Sequence, residues 1–167
     1  AASEERLRSL FEATPDALTF FDVTGMITDS NPASERLMGM RRASLIGRPF
    51  ANFVVPGDLA LAAQLFTRVL GGETVSAQLT VCRPDGSTFP VDLVAGPLRE
   101  HGTITGAYCS ARDVTEKNVA LAQLEAGEER FRSIFDNNPD PMIAFDADAT
   151  ITRDNGAAGA VLGVAPP

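Results

Sequence analysis

Few side chains in this 167-residue sequence could carry out chemistry, and their spacing limits what they could do. There is one histidine, His101, and two cysteines, Cys82 and Cys109. A single imidazole cannot form a relay with a second one. Two distant thiols make neither a four-thiolate metal site nor a disulfide scaffold. No glycine-rich loop is spaced to cradle phosphate, and no His/Cys/Glu cluster has metal-ligand spacing. Asp85-Gly86 resembles a calcium-loop fragment only superficially, because Pro84-Asp85-Gly86-Ser87 already reads as a reverse turn. Catalysis therefore finds no support, and the expectation is a protein that is not an enzyme. The most mechanical run is Arg112-Asp113-Val114-Thr115. Thr115 can cap a following helix, and Asp113 can bond a basic group or a backbone N–H nearby.

Composition fixes the class to which these residues belong. Apolar residues make up 44% and charged residues 22%, an ordinary globular balance. The formal net charge is −8 with only 14 Lys+Arg. An acidic chain without a basic stripe is a poor partner for nucleic acid or an anionic membrane. No apolar run approaches the roughly 20 residues that span a bilayer. The first ten residues, AASEERLRSL, lack the apolar stretch of a signal peptide. The expectation is a cytoplasmic chain with reduced thiols and no direct membrane contact.

An internal repeat organises the sequence. Residues 4–39 (EERLRSLFEATPDALTFFDVTGMITDSNPASERLMG) align without a gap on residues 128–163 (EERFRSIFDNNPDPMIAFDADATITRDNGAAGAVLG). The shift is 124, and 15 of 36 positions are identical. That period is too long for a solenoid and suits a small domain plus a connector. Four segments are expected: an amphipathic helix over 1–14, a complete domain over 15–115, a linker or coiled-coil helix over 116–136, and the truncated start of a second domain over 137–167.

Local patterns supply the elements. Leu7, Leu10 and Phe11 at i, i+3, i+4 mark a helix that Thr14-Pro15 ends. ALTFFD and MITD read as two strands around a turn, and Asn31-Pro32 punctuates. Short helices follow in ASERLMGM and RRASLIG. A longer one begins after Pro56-Gly57, with Asp58 as its expected N-cap and a stripe of Leu59, Ala62, Phe66 and Leu70. Three strands alternate in the last half, with Leu79 and Val81, then Val91 and Leu93, on one face. Their opposite face still holds Phe20 and Val94, which the first helix or a second subunit could cover. Residues 114–136 form a long helix whose heptad positions include Leu121, Leu124, Phe131 and Phe135. Runs of antiparallel strands separated by helices indicate an α+β fold.

With these elements in order, the sequence resembles the PAS family of bacterial sensory modules. The resemblance rests on LFEATPDALTFFD, ITDSNPASERLMG, the helix pair ending LIGRPF, the turn CRPDGSTFPVDL and the terminal SARDVTEK. The last looks like the family's aspartate–isoleucine–threonine exit motif, with Val114 in the isoleucine place. The resemblance implies a five-stranded antiparallel sheet in spatial order 2-1-5-4-3, with helices enclosing a cavity on one face. It also implies flanking helices that dimerise and pass small movements to an output domain.

The resemblance also frames the cofactor question. Flavin-photoadduct members carry a cysteine in the short helix before the long one. Here GRPFANFV spans 47–54, with Phe50 where the thiol would stand and Pro49 where an asparagine would. Haem-binding members commonly supply a histidine from the longer helix, and residues 58–70 contain none. No cofactor is therefore expected, and haem and non-covalent flavin are both disfavoured. Alternation and the family pattern place the small residues Ala107, Cys109 and Ala111 on the cavity side. The candidate cavity residues are Phe21, Phe50, Phe66, Leu70, Leu79, Val81, Val91, Leu93, Ala107, Cys109 and Ala111. A small apolar or aromatic ligand would suit such walls. Alternatively, Phe21, Phe50, Phe53 and Phe66 fill the space.

The functional expectation is a sensory and dimerisation module of a multidomain bacterial signalling protein. The output, a histidine kinase or cyclic-dinucleotide enzyme, would be another part of the same polypeptide. Arg112, Asp113 and Thr115 are the candidate signal-transfer residues. Leu7, Leu10, Phe11, Leu121, Leu124 and Phe131 are the candidate homodimer interface. The alternative is an interaction module with a filled core and no ligand.

Overall fold

A computed structural model describes residues 2–162, which form two compact units, Ala1–Glu116 and Lys117–Pro167. Residue 1 and residues 163–167 lie outside the described residues.

In the first unit, α1 (Ala2–Ala13) precedes the hairpin of β1 (Ala17–Asp22) and β2 (Ile27–Ser30). Two short helices follow, α2 (Pro32–Met38) and α3 (Arg42–Leu45), and then two 3₁₀ turns lead into α4 (Leu59–Leu70). The strands β3 (Val75–Cys82), β4 (Thr88–Glu100) and β5 (Thr103–Asp113) complete one antiparallel sheet in the order β2-β1-β5-β4-β3. The fold is α+β with the expected strand order. The helix α5 (Thr115–Asn137) begins directly after β5.

The chain itself occupies part of both sheet edges. Arg48 O accepts from Ile27 N and Ile27 O from Gly47 N, along the free side of β2. At the β3 edge, Val55 N donates to Thr80 O, and Thr80 N donates to the Asp58 carboxylate at 2.7 Å. Edges occupied in this way are poor templates for adventitious strand pairing. Asp58 sits at the α4 N-cap position but makes no side-chain capping bond. Its expected role is therefore corrected: its oxygen is spent on β3, which ties the helix to the sheet edge.

The β1–β2 turn is built on Asp22. Its Oδ1 accepts from Thr24 N at 2.8 Å, Thr24 Oγ1 at 2.6 Å and Met26 N at 3.1 Å. These bonds, the Thr24 hydroxyl first, hold the carboxyl below its ordinary pKa. Gly25 takes φ +85°, and a Cβ there would meet Phe50 Cε1 at 2.8 Å. Across β1 and β5, Gly106 faces Asp22, and a Cβ on it would overlap the Phe21 carbonyl oxygen. Glycine is thus required at 106 for the two central strands to meet.

Between the sheet and the helices lies the core: Ile27, Leu45, Phe53, Leu65, Val69, Val75, Leu79, Phe89, Val91 and Ala107 are all buried. In α4 the buried positions are Ala62, Leu65 and Val69, with Phe66 packed beside them. The stripe therefore runs 62, 65, 66, 69, one residue short of Leu70. On the other sheet face Phe11 of α1 stacks on Phe20, with ring centroids 5.4 Å apart. Tyr108 stands in register with Phe20, and its ring occupies the space a side chain at Gly96 would need. Val94 remains 42% exposed.

The second unit repeats the start of the first. It contains the hairpin of β6 (Ile143–Phe145) and β7 (Ile151–Asp154), then α6 (Gly156–Leu162). The pairing irregularity between Phe20 and Phe21 recurs between Ala144 and Phe145, 124 residues on. Asp146 Oδ1 accepts from Asp148 N at 3.0 Å and Thr150 N at 2.9 Å, as Asp22 does in the first turn. Gly25 is matched by Ala149, which holds φ +59° despite its Cβ.

Candidate functional site

A cavity of about 160 Å³ lies between the inner sheet face and the helices of the first unit. Ten of the eleven expected residues line it. Phe21 comes from β1, Phe50 from the 3₁₀ turn, and Phe66 from α4. Leu79 and Val81 come from β3, Val91 and Leu93 from β4, and Ala107, Cys109 and Ala111 from β5. Strand alternation explains the β residues, since inward side chains recur at every second position. Leu70 is not in the wall, and Val69, only 1% exposed, takes its place.

The phenylalanines proposed to fill the space instead form part of the wall. Phe21 and Phe50 meet edge to face at 6.1 Å, and Phe50 and Phe66 lie 5.2 Å apart. Phe53 also lines the cavity. No charged side chain is among the lining residues. Cys109 lines the cavity, and burial pushes its thiol up to about 12. It is a neutral thiol at physiological pH. His101 is exposed in the β4–β5 turn, at φ +50°. Among the described residues no group of three His, Cys, Asp or Glu side chains could hold a metal ion.

Besides Tyr108, whose ring lies at Gly96 in register with Phe20, two polar wall residues were not anticipated, Thr19 of β1 and Ser34 of α2. Their hydroxyl oxygens are 3.2 Å apart. The Ser34 hydroxyl also contacts Leu18 O at 2.9 Å and Asn31 Oδ1 at 3.0 Å. Asn31 is fully buried and acts as a hub. Its Oδ1 accepts from Leu18 N and Ser34 N, each at 3.0 Å. Its Nδ2 donates to Phe11 O at 3.2 Å and to Asp16 O at 3.0 Å. The cavity wall is thus hydrogen-bonded to the end of α1.

The same connection extends to the far end of β5. The Arg112 guanidinium donates twice to the Asp16 carboxylate, at 2.8 and 3.0 Å. Next to it, Asp113 Oδ1 accepts from Thr115 N at 2.8 Å and Thr115 Oγ1 at 2.6 Å, where α5 begins. Val114 is buried, and its N–H donates to Pro90 O. All three expected signal-transfer residues therefore lie at the junction of sheet and helix. Arg112 bonds the loop after α1, and Asp113 and Thr115 bond each other.

The expected dimer residues are less uniform. Leu7 and Leu10 are exposed on α1, but Phe11 is occupied by Phe20 of the same chain. In α5, Leu121, Leu124 and Phe131 are exposed, and Phe135 is buried within the second unit.

A five-stranded antiparallel sheet whose helices enclose an apolar cavity, with a helix leaving the last strand, is the architecture of a small sensory type of domain. The chain belongs to the PAS family: a PAS fold model matches residues 11–119, and a PAS domain model matches residues 129–166. It is 29% identical over 132 residues to the sensor protein FixL of Bradyrhizobium diazoefficiens, covering 73% of this chain and 25% of that one. It spans a quarter or less of the length of the curated relatives it matches. A PAS domain of Colwellia psychrerythraea is 25% identical with a TM-score of 0.63, covering 70% of this chain and 99% of that one. A domain of a sensory box sensor histidine kinase/response regulator from Geobacter sulfurreducens is 27% identical with a TM-score of 0.59. That match covers 66% of this chain and 94% of that one. Among the described residues no helix is long and apolar enough to cross a membrane.

Proposed function

We propose that the chain is a sensory and dimerisation module of a multidomain signalling protein, and is not itself an enzyme. A small uncharged molecule in the cavity of the first unit would alter the set of α1 and α5. An output domain of the same polypeptide, a histidine kinase or a cyclic-dinucleotide enzyme, would read that change. Similarity to a sensor protein and to a sensor histidine kinase supports the signalling context.

The observation that carries this reading is the bonded route from the cavity wall to both flanking helices. It runs Thr19, Ser34, Asn31, then Phe11 and Asp16, then Arg112 beside Asp113. A ligand that moves the wall has a physical connection to the segments that would report it. The cavity volume supports the cofactor reading. About 160 Å³ is close to a cavity that holds benzene, and well below what haem or flavin requires.

Toluene is a suitable first probe because it is neutral, apolar and close to the cavity in size. Hydrogen exchange of the purified chain, with and without toluene, should show altered protection in residues 10–18 and 111–116. Toluene bound without any change there would remove the coupling. If no small apolar molecule binds, a module with a closed core that works only through protein contacts becomes the better reading.

A further inference from the structure

We propose that Thr19 and Ser34 form the recognition end of the cavity, and that its ligand is a one-ring neutral molecule bearing a hydroxyl donor, of the phenol class. The inference rests on the reading that the cavity binds a ligand, and it adds which end the ligand points to and why.

Counting protons gives the direction of recognition. Ser34 has one hydroxyl proton, and both Leu18 O and Asn31 Oδ1 lie within reach of it. That proton is therefore spent away from the cavity, on the hub side. The 3.2 Å contact between the hydroxyls must then be Thr19 donating to Ser34. Thr19 Oγ1 keeps its lone pairs for the cavity, so the wall offers an acceptor there. A ligand hydroxyl that donates to it is satisfied, whereas a ligand carbonyl would face oxygen lone pairs. No charged side chain lines the cavity, so an ionised ligand would enter without a counter-charge. The volume limits the apolar part to about one ring.

The second repeat copy shows that the asparagine hub forms without these hydroxyls. Positions 19 and 34 correspond to Ile143 and Ala158, both apolar. The hub around Asn155 is nevertheless intact: its Oδ1 accepts from Met142 N and Ala158 N, and its Nδ2 donates to Phe135 O and Asp140 O. A hydroxyl pair that the hub can do without, placed on a wall whose other polar groups are only Tyr108 and the Cys109 thiol, is explained by something it binds.

The purified chain should be titrated with phenol and, separately, with toluene, following amide shifts by NMR. In Thr19→Val, phenol affinity should fall about tenfold while toluene affinity changes less than about twofold. Thr19→Ser should keep the phenol affinity, because it restores the acceptor. If phenol weakens no more than toluene in Thr19→Val, the recognition role is wrong, although the cavity reading survives. If the unaltered chain binds neither compound, both readings fail.

Discussion

Asn155 repeats in the second unit four of the hydrogen bonds that Asn31 makes in the first, 124 residues earlier. Leu18 and Met142, Ser34 and Ala158, Asp16 and Asp140, and Phe11 and Phe135 occupy matching places around the two amides. Each amide closes the end of a helix, the start of a strand and the first turn of the next helix at once. Both residues are buried, so the groups they serve have no water to turn to.

Asn31→Ala should destabilise the first unit by about 3 kcal/mol or more, because several buried backbone groups lose their partner together. Asn155→Ala should lower the unfolding transition of the second unit and leave that of the first in place. Denaturant unfolding followed by residue-resolved NMR distinguishes the two, and a single shared transition shift in both variants would contradict it.

The matched turns behave as opposites. Ala149 holds φ +59° where the first copy has Gly25. Ala149→Gly should stabilise the second unit by about 1 kcal/mol through relief of left-handed strain. Gly25→Ala should cost more than about 1 kcal/mol, since its Cβ also meets the Phe50 ring. Thermal unfolding of the pair measures both signs.

The two thiols should react in sequence. Cys82 sits on the edge strand with its Sγ near Asn52 O, whereas Cys109 lines the cavity with its ionisation pushed up to about 12. Maleimide or iodoacetamide at pH 8 should label Cys82 first and Cys109 only on unfolding. The unfolded chain loses the Cys109 proton near 9.0, below the folded value. The stabilising contribution is therefore complete below about pH 9 and is lost as pH rises towards 12. Replacing Cys109 with Ala should flatten that part of the stability curve.

Arg112 is 68% exposed, so its pair with Asp16 contributes little to stability. Arg112→Gln should leave the melting temperature nearly unchanged. The same variant should reduce the toluene-dependent change in exchange at residues 111–116. An undiminished response would place the coupling elsewhere.

Leu121 and Leu124 are 51% and 61% exposed on α5. If they form a helix–helix seam, Leu121→Glu combined with Leu124→Glu should shift sedimentation towards monomer. Unchanged sedimentation would remove the seam.

Much of the architecture was legible in the sequence because each element left a local mark. Proline and glycine bounded the helices, alternation set the inward faces of β3, β4 and β5, and the repeat fixed the module length. Residues whose roles depend on distant partners left weaker marks. Asn31 read only as punctuation before Pro32, although its identity with Asn155 across the repeat pointed to more. Thr19 looked like an ordinary strand residue, and Ser34 like an ordinary first-turn residue. Their pairing arises only when α2 lies over β1. The Asp16–Arg112 pair spans nearly the whole first unit, and no spacing rule reaches that far. Leu70 failed by one position, because the stripe 62, 65, 66, 69 and the stripe 59, 62, 66, 70 are both helical and only packing against the sheet separates them.

The sequence has no tryptophan and one tyrosine, and that tyrosine, Tyr108, lies beside Phe20 on the face against which Phe11 is stacked. Near-ultraviolet excitation of the unlabelled chain therefore draws its emission from a single ring at the place where the sheet meets the leading helix. Any event that shifts those layers against each other carries its own optical reporter.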